Sequence, residues 1–482
     1  MESLKILHID MNYNTLKPET IRRMVDYAAD SGFNAILWEL ENKVQWTTCP
    51  AAIDPEAMTK EEFREILAYS RSRGLEPIPL LQCIGHGEYV LKHPEYAHMR
   101  ELPDHPDCYC VMKKEVRAFV SSLIEEYVEL FGELKYFHLG GDEAYVFGRC
   151  PECSKQEKNA LYGEYIRFLA EKHFLPRNIR PGIWHDMIYA HPETVKEISS
   201  DFMIWFWGYG IGNGVETEDT ALFEGVDFFR ENGYDVVVCP AVRSAGDSPF
   251  YVRWQHAGNV MNAVRKAQRD SLAGVCVTNW AIRLGCFDMT LPLLEVAPRL
   301  WRDPAGDASA ILRGIREEYY GIADADLLQK VLFWPNGYMI LTSVQWNGWK
   351  DGTFPPEGFF RDKRQWILDK ADGGDAMKYL PQWAEDLRKN EAEYAGMIQP
   401  DTPFREALCA MLSLRNRFVY TLYEGCFGES PDFAKLAVEL EEIRKECEAL
   451  YLRDQMPASA VHNAELLVQP LKEYCASHLP QC

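Results

Sequence analysis

Basic charge is what this 482-residue chain is shortest of: 51 lysines and arginines stand against 73 aspartates and glutamates, a formal net charge of −22. Nucleic acid and anionic membrane surfaces both recognise a basic footprint, so neither is expected as a partner. No apolar run approaches the length of a membrane span. The opening residues, Met1 to Asp10, lack the long apolar segment and cleavage site of a secretion signal and read as a strand that starts almost at once. There is no internal repeat, no low-complexity tract and no Gly/Ser-rich linker. Cysteine is not scarce, but its 14 residues are scattered, and several, such as Cys239 and Cys276, sit inside apolar runs. That distribution suits buried thiols in a reducing compartment better than a disulfide framework, so a cytoplasmic protein is expected.

What is there begins with Tyr136-Phe137-His138-Leu139-Gly140-Gly141-Asp142-Glu143-Ala144-Tyr145. An apolar run ends in two glycines and two adjacent carboxylates. Neighbouring side chains on a strand point to opposite faces, so both acids could not reach one ligand from regular β geometry. Glycine lets the backbone leave that geometry, and the two acids could then converge at the strand's C-terminal end. The bland alternative is an acidic helix N-terminus that complements the helix dipole.

Seven other apolar runs share the pattern. Together they cover residues 5–10, 34–40, 76–82, 134–140, 180–185, 202–207, 234–240 and 274–280. Helical periodicity separates them, for example from Pro18 onward and over 61–73, 114–131, 157–173 and 259–269. Eight strand–helix alternations in about 300 residues predict a (β/α)8 TIM barrel. Polar and aromatic residues gather just after each run: Asp10 and Asn12; Glu39 and Glu41; Gln82, His86 and Glu88; Asp142 and Glu143; Trp184, His185 and Asp186; Trp205 and Trp207; Arg243 and Asp247; Asn279, Trp280 and Arg283. A barrel carries its active site on that face. Residues 333–360 read as loop-rich and aromatic, and helical patterns follow over 361–371, 377–393, 404–423, 431–451 and 460–478. The expected organisation is a catalytic barrel over 1–335 and a helical C-terminal region over 336–482.

Tryptophans at one mouth suit a sugar, whose ring has apolar C–H faces and a hydroxyl rim; core packing is the plainer reading for any one of them. A carboxylate pair in such a pocket suggests glycoside hydrolysis. Adjacent acids do not fit the usual scheme, in which two carboxylates flank the bond from different strands. They fit the substrate-assisted variant, in which the sugar's own 2-acetamido oxygen attacks the anomeric carbon. One acid then protonates the leaving oxygen, and its neighbour holds the acetamido N–H.

On these residues the chain resembles a known family. His138-Leu139-Gly140-Gly141-Asp142-Glu143 is similar to the His-x-Gly-Gly-Asp-Glu signature of family 20 β-N-acetylhexosaminidases. The stretches Gly32 to Glu41 and Ile78 to His93 resemble the intracellular hexosaminidase D-like branch most closely. The resemblance covers about residues 5–300. It implies Glu143 as general acid/base, Asp142 as the residue orienting the acetamido group, and no cofactor for catalysis. It also places His86 in the pocket and Trp184, Trp205 or Trp207, and Trp280 around the acetamido methyl. With Asp186 and Arg283 these make the expected set of sugar contacts. The substrate implied is an oligosaccharide or glycoconjugate with a terminal β-N-acetylhexosamine, GlcNAc or GalNAc, taken by a monomer or homodimer.

The sequence departs from secreted members of that family. Asp10-Met11-Asn12 stands where they carry a sugar-binding arginine, and Trp280-Ala281-Ile282 replaces their Trp-x-Glu. Two alternatives follow from these departures: a non-catalytic sugar-binding barrel, or a hydrolase for an anionic aminosugar read by Arg243 or Arg283. Finally, Cys150-Pro151-Glu152-Cys153 has metal-knuckle spacing, with Cys108 and Cys110 upstream. Four thiolates could close a structural zinc site; free thiols are the bland reading.

Overall fold

The computed structural model describes residues 3–210, 216–219, 221–244, 247–280, 286–333 and 376–477. Two compact units divide the chain. The first comprises Met1–Asn213, Thr217–Ala241 and Asn259–Asn279; the second comprises Gly214–Glu216, Val242–Gly258 and Trp280–Cys482. The expected boundary at 335/336 lies outside the described residues.

The first unit is the barrel. Its strands are β1 (Leu4–Asp10), β2 (Ala35–Glu39) and β3 (Glu76–Leu80), then, after a hairpin of β4 (Arg100–Leu102) and β5 (His105–Tyr109), β6 (Tyr136–His138), β7 (Arg180–Trp184), β8 (Met203–Trp207) and β9 (Asp235–Cys239). Beyond the short β10 (Ala241–Arg243), β11 (Gly274–Asn279) completes the set. The barrel strands run parallel in the order β1-β2-β3-β6-β7-β8-β9-β11, and β11 pairs back onto β1, Leu4 against Gly274, to close the ring. The runs are apolar throughout because both faces are covered: β2 is buried along its whole length.

Helices return the chain between strands. Pro18 opens the first, Pro18–Ser31, at a position where its missing N–H costs nothing, and Gly32 ends it in the left-handed conformation at φ 93°. Thr59 and Glu62 cap Lys60–Ser72 reciprocally. The second unit is helical, with Ala308–Tyr320, Ala325–Val331, Ala376–Tyr394, Pro403–Phe427, Phe433–Tyr451 and Pro457–Ser477 among its helices. Within it the buried Arg415 donates to Tyr251 Oη and to the carbonyls of Val331 and Phe333 at 2.9–3.1 Å. Among the described residues no helix is long and apolar enough to cross a membrane.

Candidate active site

Strand β6 is shorter than its apolar run, stopping at His138 because Gly140 and Gly141 turn to φ 64° and 88°. A side chain at Gly140 would place its Cβ 2.0 Å from Gln82 Oε1, and one at Gly141 2.8 Å from the Tyr162 hydroxyl. Glycine is therefore required twice, by conformation and by space. Glu143 follows with φ 44°, unusual for a side-chain-bearing residue. Its N–H donates to Asp186 Oδ2 at 2.9 Å, which ties this turn to the end of β7. The turn brings the two acids to one side. His86, itself at φ 51°, holds Nε2 3.4 Å from Asp142 Oδ2 and 3.5 Å from Glu143 Oε2. The loop of His86 packs so tightly on this turn that a Cβ on Gly85 would lie 2.4 Å from the Asp142 carbonyl oxygen.

Burial opposes a charge on His86, but Asp142, with Glu88 and Glu143 behind it, outweighs burial and holds the ring well above the usual imidazole value. Asp186 is pushed up to about 7, first by burial and then by the charge of Asp142; the Glu143 N–H works the other way. Asp142 is buried, and its Oδ1 has no hydrogen-bond partner among the described residues. Glu143 is more open, its side chain 37% exposed. The site thus offers one sheltered acceptor and one accessible carboxyl, side by side.

Beneath the pair lies His138. Gly140 N–H donates to its Nδ1 at 3.0 Å, so the ring proton sits on Nε2. Burial and then His8 hold this ring well below the usual value, so it is neutral. Deeper still, Glu39 receives His8 Nε2 at 3.0 Å and Gln82 Nε2 at 3.2 Å.

The tryptophans divide by depth. Trp184 and Trp205 pair in register on β7 and β8. Both are fully buried, with ring centroids 4.3 and 4.8 Å from that of His138. Gly182 makes room for this layer, since a Cβ there would come within 2.5 Å of Trp205 Nε1. Trp207, two residues further toward the C-terminal end of β8, is partly exposed and stacks on Tyr209 at 5.4 Å. Trp280 belongs to the other compact unit, where its N–H donates to the Arg243 carbonyl and its own carbonyl accepts from Arg243 Nη1 at 2.9 Å. Arg243 is buried and also donates to Ser248 O, as expected of a structural cation. Arg283 lies outside the described residues.

Two further residues that follow barrel strands, Tyr145 after β6 and Glu41 after β2, were not in the expected set of site members. Tyr145 is 66% exposed, and partial burial and then a hydrogen bond with Glu143 push its pKa up, so the phenol stays protonated. Its only signal was adjacency to the motif. Glu41, at φ 41°, is buried, and its carboxyl is pushed well up by that burial and by Glu39, Asp10 and Glu88. Of the four cysteines, Cys110, Cys150 and Cys153 come together; Cys108 Sγ faces the Tyr109 carbonyl instead.

A closed parallel barrel with carboxylates converging at the C-terminal end of a strand has the frame of a (β/α)8 enzyme, whose active site lies on that face. The model of glycosyl hydrolase family 20, catalytic domain, matches residues 5–271, and the chain belongs to that family. The match ends just before β11. Hexosaminidase D of Bos taurus is 26% identical over 315 residues, covering 61% of this chain and 88% of that protein. Hexosaminidase D of Homo sapiens is 29% identical over 199 residues, 39% of this chain and 41% of that one, so the chain spans less than half the length of this second relative. Among solved structures, a β-N-acetylhexosaminidase from Bacteroides fragilis has a TM-score of 0.50 at 17% identity, covering 61% of this chain and 65% of that one. A Flavobacterium johnsoniae chitobiase has a TM-score of 0.52 at 15% identity, covering 98% and 78%. These two likenesses concern the fold.

Proposed function

We propose that the chain is an exo-acting, retaining β-N-acetylhexosaminidase that works by substrate assistance. The observation that carries this reading is the convergence of Asp142 and Glu143 on His86, with Asp142 sheltered and Glu143 accessible. The 2-acetamido oxygen of the terminal sugar attacks C1 while the Glu143 carboxyl protonates the glycosidic oxygen, which leaves with the aglycone. Asp142 Oδ1 accepts the acetamido N–H and offsets the positive charge that develops on the cyclised ring. Water then opens that ring at C1, giving its proton to Glu143, and two inversions leave the β configuration. Most of the acceleration belongs to groups fixed before charge develops, which is the purpose of a turn held by two glycines and by Asp186.

Trp207 is the ring best placed to contact sugar. Trp184 and Trp205 form the layer under it, and His86 faces both carboxylates. The role of Trp280 rests on the resemblance alone, and that of Arg283 on its place just after the eighth apolar run. The reaction calls on the substrate's acetamide and two carboxylates and needs no cofactor. The substrate is an oligosaccharide or glycoconjugate with terminal β-GlcNAc or β-GalNAc. A cytoplasmic location is supported by the 12 free cysteines among the described residues, all but Cys409 buried.

The test is hydrolysis of aryl β-glycosides of GlcNAc and GalNAc, with glucose and galactose as controls and Glu143→Gln as the blank. Turnover confined to the N-acetyl pair supports the reading, and their ratio gives the C4 preference. Silence on all four, with measurable binding of the free sugar, would point to a binding barrel.

A further inference from the structure

We propose that Glu101, Cys110, Cys150 and Cys153 form a closed tetrahedral zinc site that clamps the β4–β5 hairpin to the loop following the Asp142-Glu143 pair. All four residues are buried, and one ligand atom from each lies within 4.8 Å of the others. A tetrahedral centre with Zn–S of about 2.3 Å sets sulfurs about 3.8 Å apart; Cys110 Sγ is 3.7 Å from Cys150 Sγ and 3.6 Å from Cys153 Sγ. With Zn–O of about 2.0 Å the sulfur–oxygen edge is about 3.5 Å, and Cys153 Sγ lies 3.4 Å from Glu101 Oε2. These three of the six edges match those of a tetrahedral centre.

The surroundings fit as well. Cys150 N–H donates to Glu101 Oε1 at 2.8 Å, which orients that carboxylate and leaves Oε2 toward the thiols. Cys153 N–H donates to Cys150 Sγ at 3.4 Å, closing the two-residue knuckle. Supporting hydrogen bonds of this kind orient ligands in metal sites. Three thiolates and a carboxylate select zinc over magnesium or calcium, and four protein ligands leave no open position, so the site is structural. The expected four-cysteine set is thereby altered: Glu101 takes the fourth place, and Cys108 stays outside.

The clamp matters because Glu101 and Cys110 bracket the hairpin that follows His86, while Cys150 begins seven residues after Glu143. One ion would tie the hairpin downstream of His86 to the loop downstream of Asp142 and Glu143.

The test is zinc content by mass spectrometry of the full chain, expressed with zinc and purified under reductant. About one zinc per chain is expected, with a drop to below a tenth in Cys110→Ser and Cys153→Ser. Full occupancy should persist in Cys108→Ser and Cys409→Ser. Glu101→Gln should lose its zinc to a chelator at least tenfold faster. Should the cysteine variants fail to fold, cobalt(II) exchanged into the wild-type protein should give thiolate charge-transfer and intense tetrahedral visible bands. Zinc-free wild-type protein without a cobalt spectrum, or unchanged zinc in folded Cys110→Ser, would overturn the proposal. Zinc lost from Cys108→Ser but kept through chelation by Glu101→Gln would overturn this ligand set.

Discussion

Glu143 donates its backbone N–H to the carboxylate of Asp186, 2.9 Å away and just past the end of the next barrel strand. One acid is thus positioned by another, at a place where the first carries a left-handed backbone. The arrangement costs Asp186 its ordinary acidity: burial, then Asp142, push it up to about 7, against the help of the Glu143 amide. Between its unfolded value near 3.8 and about 7, folded protein therefore holds a proton that unfolded protein has released. Stability from this group is full in acid and is lost as pH rises toward 7.

Asp186→Asn keeps the acceptor oxygen and removes the titration. The expected outcome is that the wild-type urea midpoint, measured relative to that of Asp186→Asn, declines from pH 5 to pH 8. A parallel pair of curves would show that Asp186 is not held protonated.

Gly141→Ala should damage both stability and turnover. Its φ of 88° and the 2.8 Å approach to Tyr162 Oη leave no place for a methyl. The conformational term alone is roughly 1–2 kcal/mol. Gly32→Ala is the control, since Gly32 has a similar φ of 93° and open space around its Cβ. Thermal melts should fall for both variants, but only Gly141→Ala should lower kcat of the folded fraction.

The barrel was legible because its strands are apolar on both faces, a pattern visible without knowing the pairing. The helix Lys114–Phe131 matches its periodicity end to end. Strand β6 formed over Tyr136–His138 rather than 134–140, since the glycines that free the acids also end the strand. The β4–β5 hairpin was missed because Arg100–Leu102 and His105–Tyr109 have little apolar alternation. The helices Ala308–Tyr320 and Ala325–Val331 were also passed over. Convergence of Asp142 and Glu143 was readable from the glycines before them. The depth of each tryptophan was not, because a two-residue period gives the face of a strand and says nothing of height along the barrel. Glu101 carried no signal at all: a carboxylate in a short hairpin looks like any surface acid until the thiols are seen beside it.

Depth should separate the tryptophans experimentally. Trp205→Ala removes a fully buried ring in contact with His138 and should cost about 3–5 kcal/mol in denaturant unfolding. Trp207→Ala should leave stability nearly unchanged and raise KM for an N-acetyl substrate about tenfold, the loss of one aromatic contact with a sugar face. Equal stability losses would place Trp207 in the core instead.

The central claim is that Asp142 serves the acetamido group while Glu143 serves the leaving oxygen. The measurement that tests it most directly is kcat/KM of Asp142→Asn and Glu143→Gln on N-acetyl substrates with good and poor leaving groups. Glu143→Gln should lose about 10²–10⁴-fold on the poor leaving group and much less on the good one. Asp142→Asn should lose about 10²–10³-fold on both, because attack by the acetamido oxygen is what displaces either leaving group. Identical leaving-group dependence in the two variants, or wild-type rates in Asp142→Asn, would contradict the division of labour.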